Sequence, residues 1–160
     1  MARESAEDGL MPSILDRLID SDSAGTAWRR GYGVDQMLDV VRRDLEDLLN
    51  TRQSHSGLPE EFREVHRSIV AYGLPDLVSL NAITPQEREE IGRRLEEVIS
   101  LFEPRLRDVR ATMVQSGDTK ERHIRFRVEA RLALDPAPDV AFDTVLELAS
   151  GQYSIRPSDA

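Results

Sequence analysis

The stretch ISLFEPRLRDV, residues 99–109, holds the change on which the fold turns. Upstream of it, apolar residues recur at intervals of three and four. Downstream, they alternate one by one. The first spacing marks the face of a helix, the second the face of a half-buried strand. Pro104 stands at the border. It removes a backbone donor, fixes its own φ and disfavours helix at Glu103. An acid and a base flank that proline, which a helix stop alone does not require. In an extended chain Glu103 and Arg105 point the same way, about 7 Å apart. Read from the residues alone, Glu103-Pro104-Arg105 is either a helix terminator with an incidental ion pair or a stiff joint offering matched charges. A surface ion pair is worth roughly 0–1 kcal/mol. On the contact reading, reversing Arg105 to Glu leaves the melting temperature nearly unchanged and removes the contact.

Working back from the joint, ITPQEREEIGRRLEEVISLF (83–102) predicts a helix with a clear start. Thr84 is its N-cap, Pro85 its first residue, and Glu87 closes a capping box. Ile91, Leu95, Val98, Ile99 and Phe102 form its core face. Glu89 with Arg93, and Glu90 with Arg94, make i,i+4 pairs on a solvated face. VDQMLDVVRRDLEDLLNTR (34–52) predicts a second long helix, with Val34, Leu38, Val41, Leu45, Leu48 and Leu49 inward. Asp39, Arg42, Arg43, Glu46 and Asp47 lie opposite. Between the two, EEFREVHRSIVAYG predicts a shorter helix, with Phe62, Val65, Ile69 and Tyr72 on one face and Gly73 as a left-handed cap. LPDLVSLNA follows as a loop, because Pro75 holds Leu74 out of helical geometry. Near the start, PSILDRLID (12–20) offers a brief apolar face of Ile14, Leu15, Leu18 and Ile19, with Pro12 suited to its first turn. SDSAGTAWRRGYG has turn composition, and Trp28 within it is either an anchor of that loop to the body or an exposed contact residue.

Working forward, DVRATMV alternates Val109, Ala111 and Met113 against Arg110 and Thr112. HIRFRVEARLAL (123–134) sets Ile124, Phe126, Val128, Ala130, Leu132 and Leu134 on one face. Arg125, Arg127, Glu129 and Arg131 take the other. VAFDTVLELA (140–149) alternates Val140, Phe142, Thr144, Leu146 and Leu148, and YSIR gives a last short strand. Polar turns join these runs, so they predict an antiparallel meander with one packed and one wet face. The fold class expected is α+β: three to four N-terminal helices packed on a small C-terminal antiparallel β-meander. The expected organisation is a disordered extension over 1–12, one domain over 13–156, and a tail over 157–160.

The chain has 160 residues and a formal net charge of −9. That charge argues against nucleic-acid binding, which needs clustered cations, and aromatics at 5% argue against a base-stacking platform. There is no cysteine, hence no disulfide, thiolate metal site or thiol nucleophile. MARESAEDGLMPSI has no signal-peptide core, and no apolar run reaches the roughly 20 residues of a membrane span. The expectation is an acidic, cytoplasmic protein without membrane insertion. His55, His66 and His123 fall in different segments without metal-ligand spacing. No nucleophile elbow and no glycine-rich phosphate cradle occur. The residues therefore point to no catalytic residue, cofactor or metal.

SILDRL, DLEDLLNTR, IVAYGLPDL, FEPRL, IRFRVEARL and VAFDTVLELASGQYSI occur in one order over residues 12–156. In that order they resemble the TssE proteins, type VI secretion baseplate subunits of the gpW/gp25-like family. The family is related to the wedge protein of contractile phage tails. Its hallmark triplet falls on Glu103, Pro104 and Arg105. The resemblance implies a structural, non-enzymatic part of a contractile injection machine that starts sheath assembly. It implies partners among wedge subunits similar to TssF, TssG and TssK, and sheath subunits similar to TssB and TssC. It implies a cytoplasmic protein assembled into a membrane-docked baseplate, with Glu103, Pro104 and Arg105 as interaction residues. A meander also has two outer strand edges, whose unpaired N–H and C=O groups suit strand exchange with a sheath subunit. The phage relative has been called lysozyme-like, but no catalytic pair carries over to this sequence. A stand-alone hydrolase and an adaptor outside any large machine are the competing classes.

Overall fold

The computed structural model describes residues 13–19, 32–55, 57–75, 84–114, 123–133, 138–147 and 150–157. The Trp28 loop, Pro12, Leu134 and Leu148 lie outside these residues. The chain is an α+β protein whose described residues form helices first and a four-stranded antiparallel sheet after them. Two compact units divide it, residues 1–41 and residues 42–160.

In the first unit α1 spans Ile14–Ile19. Ser13 caps it: Asp16 N–H donates to the Ser13 hydroxyl at 3.1 Å, and Ser13 N–H returns a bond to Asp16 Oδ2 at 3.2 Å. Of the apolar face expected here, Ile14, Leu15 and Leu18 are exposed. Helix α2, Val34–Asn50, starts in this unit and ends in the next. Val41, Leu45, Leu48 and Leu49 are buried as their spacing requires. At the first turn the inward residue is Met37, while Val34 is exposed.

In the second unit the segment expected as one helix is two single turns, α3 (Arg63–His66) and a 3-10 turn (Ile69–Ala71). Ser68 divides them. It leaves helical geometry at ψ 171, and its hydroxyl accepts from Val70 N–H, which competes with helix continuation. Phe62 and Ile69 are consequently exposed, and Ala71, Gly73 and Leu74 are buried. Gly73 caps no helix. Its φ is 103, and a Cβ there would lie 2.4 Å from the carbonyl oxygen of Thr51. Its bareness lets two segments of the chain touch: Leu74 N–H donates to Thr51 O, and Gln53 N–H to Leu74 O, both at 2.8 Å. A short parallel bridge thereby ties the LLNTR segment to the YGLPDL segment.

Helix α4, Pro85–Phe102, carries the capping box in full, with Glu87 N–H on Thr84 Oγ1 at 3.2 Å and Thr84 N–H on Glu87 Oε2 at 2.8 Å. Ile91, Leu95 and Ile99 are buried. Gly92 is buried too, because the helix passes close to Ala111 of the first strand. Strands β1 (Leu106–Val114), β2 (His123–Leu132), β3 (Asp139–Glu147) and β4 (Gln152–Pro157) pair in chain order. In β2 every second residue from Ile124 to Leu132 is buried and the arginines face out. β1 departs from strict alternation. A bulge falls between Arg107 and Arg110, with Asp108 at φ 54. The extra residue lets Leu106 and Val109, three apart, both face inward.

Candidate functional site

Glu103 ends α4, with its N–H on Ile99 O at 2.8 Å. The chain then turns within four residues. Leu106 N–H donates to Glu103 O at 3.1 Å, and Pro104 sits second in the turn, where its fixed φ is favoured. On the far side Arg105 O accepts from Ala133 N–H at 2.7 Å, which fastens the turn to the end of β2.

The turn does not hold its charges about 7 Å apart for an outside partner. Arg105 folds back onto Glu103: Nε donates to Oε1 at 2.6 Å and Nη2 to Oε2, a two-pronged pair. Arg105 N–H also donates to Glu103 Oε1 at 3.1 Å. The glutamate is buried, its side chain 5% exposed, whereas the arginine keeps 26% of its side chain accessible. Pro104 is exposed. The triplet is thus a sealed acid beneath a half-open cation and a surface ring.

A third residue completes the clamp. Asp44 Oδ2, on α2, accepts from Arg105 Nη2 at 2.7 Å. Its other oxygen takes Arg43 Nη2 at 2.8 Å. Burial by itself would favour loss of the Arg105 proton. The hydrogen bond and charge of Glu103, then those of Asp44, outweigh it and raise the arginine pKa. Tyr72 packs edge-on against Phe102, with ring centroids 5.3 Å apart. Its phenol pKa is raised, first by burial and then by Asp47, Asp44 and Glu103. The sequence reading brought Glu103, Pro104 and Arg105 together and missed Asp44. The signal was present: Asp44 lies three after Val41 and four before Leu48, a carboxylate at core spacing.

The sheet edges are less open than a bare meander implies. On β4, Tyr153 N–H donates to Asn50 Oδ1 at 2.8 Å, and Asn50 Nδ2 donates to Tyr153 O at 2.9 Å. On β1, Ala111 N–H donates to Glu96 Oε1 at 2.8 Å. Each edge is therefore closed at one position by a helix side chain. The histidines remain apart: His66 Nε2 lies 3.1 Å from Pro59 O, His55 is an exposed residue after α2, and His123 starts β2. Among the described residues no three His, Asp or Glu side chains converge as metal ligands, and no helix is long and apolar enough to cross a membrane.

No curated protein and no solved structure matches the chain. The family model described as baseplate wedge protein gp25 matches residues 35–137, which run from the start of α2 past the end of β2. That span holds Asp44, the Thr51–Leu74 crossing and the whole Glu103-Pro104-Arg105 turn. The chain belongs to the gp25 family of baseplate wedge proteins.

Proposed function

We propose that the chain is a wedge subunit of a type VI secretion baseplate and helps to start the contractile sheath. The family match over residues 35–137 carries this reading, since it makes the chain a structural baseplate part. The type VI assignment rests on the ordered fragments from SILDRL to VAFDTVLELASGQYSI, which extend beyond the matched span on both sides. Wedge partners similar to TssF, TssG and TssK meet the Glu103-Pro104-Arg105 turn. Sheath subunits similar to TssB and TssC meet an edge of the sheet. The work is done in the cytoplasm, on a baseplate docked to the membrane.

What the turn offers a partner is the exposed Pro104 ring and the accessible part of Arg105, held by Glu103 and Asp44. A guanidinium fixed in this way loses little conformational freedom on contact, which favours register and partner choice over raw affinity. The test is co-expression with the wedge and sheath proteins of the same machine, followed by size separation. The chain is expected in high-mass particles together with both partner classes. A chain that stays alone in the low-mass fraction overturns the reading.

A further inference from the structure

Tyr153 and Leu146 are cross-strand partners, yet both backbone groups of Tyr153 point away from β3 and meet Asn50. Backbone direction alternates along a strand, so Ile155 and Pro157 share the outward direction of Tyr153. Pro157 has no N–H to offer. The outer edge of β4 is thus a short row of two complete N–H and C=O pairs, the first of which is occupied. Its occupant is a primary amide with one donor and one acceptor, the same pair that a neighbouring strand would present. Asn50 is the last residue of α2 and is exposed, so its side chain can leave without unpacking the core. The β1 edge differs. There the cover is the helix itself, because a Cβ on Gly92 would sit 3.1 Å from Ala111 O.

We propose that Asn50 is a displaceable gate on the β4 edge, and that an extended segment of a partner polypeptide takes its place by adding a strand beside Tyr153 and Ile155. The side chains of β4 state what that segment looks like. Tyr153 and Ile155 are buried on one face, and Gln152, Ser154 and Arg156 are exposed on the other. The incoming strand therefore alternates apolar and polar residues in the same sense. This inference rests on the sheath-edge part of the proposed function and names the edge and its control. In the free chain the gate suppresses unwanted edge pairing. On the baseplate a tethered partner strand overcomes it, because tethering raises the effective concentration of that strand.

The test uses the full chain, isotope-labelled, and a short synthetic peptide of alternating valine and threonine as the probe strand. The Asn50→Ala variant is expected to bind the peptide about tenfold more tightly than the unmodified chain, since no amide has to be displaced. Resonance changes are expected to be confined to Gln152–Arg156 and their β3 partners. A second readout needs no variant: in the unmodified chain, saturating peptide shifts the Asn50 side-chain amide resonances. Equal affinity in both chains, or a bound peptide that leaves the Asn50 amide undisturbed, overturns the gate. A working gate in a chain that fails to enter high-mass particles overturns the proposed function alone. Co-assembly by a chain without a gate overturns only the gate.

Discussion

Glu103 is a carboxylate almost sealed from water, and Arg105 is what makes that position tolerable. Removing one member of such a pair strands the other. Arg105→Ala is expected to cost on the order of 2–3 kcal/mol, the low end for a pair whose cation is partly solvated. Urea denaturation read by circular dichroism measures it. Arg105→Glu is worse, since it sets a third carboxylate beside Glu103 and Asp44. The expectation that this reversal spares stability is therefore corrected by the intramolecular clamp. Adding Glu103→Gln to Arg105→Ala is expected to restore part of the loss, because the stranded charge is gone. An unchanged midpoint in Arg105→Ala would show that the pair does not hold the turn. At this scale the sequence announced the acid and the base beside the proline. It did not announce their contact, which depends on a turn that brings the two side chains together. Nor did it announce Asn50 and Glu96 as edge caps, because a polar residue on a helix looks the same in sequence whether or not a strand lies beside it.

The long elements were readable because each repeats one spacing many times. The capping box of α4 and the alternation of β2 are local chemistry, complete within a few neighbouring residues. The segment from Phe62 to Tyr72 was not readable in the same way. Its spacing suits a helix, but a helix that short is marginal without a packed face, and one serine hydroxyl ends it. Gly73 carried the opposite error, for its left-handed backbone was anticipated while its purpose was not. Its place is a crossing of two segments of the chain. Gly73→Ala is expected to destabilise the protein by roughly 3 kcal/mol, from positive-φ strain and the collision with the Thr51 carbonyl. A fall in urea midpoint at constant slope checks this, and a midpoint within error of the parent would remove the crossing from the account.

For the whole molecule, the arrangement of buried hydroxyls sets a response to alkali. Among the described residues the Tyr153 hydroxyl and the Thr144 hydroxyl are buried without a hydrogen-bond partner. Burial raises the Tyr153 pKa far above the ordinary phenol value near 10. Below about pH 10 both folded and unfolded chains keep this proton, and the stability is fully present. Above it the unfolded chain releases the proton and the folded chain does not. Stability then falls with rising pH, by about 1.4 kcal/mol per pH unit for one such group, until the folded pKa is reached. Tyr72 adds to the decline in the same direction. Melting temperatures taken from about pH 8 to about pH 11 are expected to drop more steeply for the parent than for Tyr153→Phe. At neutral pH that variant is expected to be at least as stable, since it removes an unmet polar group. Parallel curves would place the alkaline loss elsewhere. One further consequence follows from the bulge at Asp108. A strand permits an even count between side chains on the same face, and here the count from Leu106 to Val109 is odd. The spare residue absorbs that odd count, as a one-residue slack between the turn and the sheet. Deleting it would turn β1 into a regular strand with Arg107 still opposite Arg131 and Arg110 still opposite Glu129, so this junction can lose one residue without moving any later side chain to the other face.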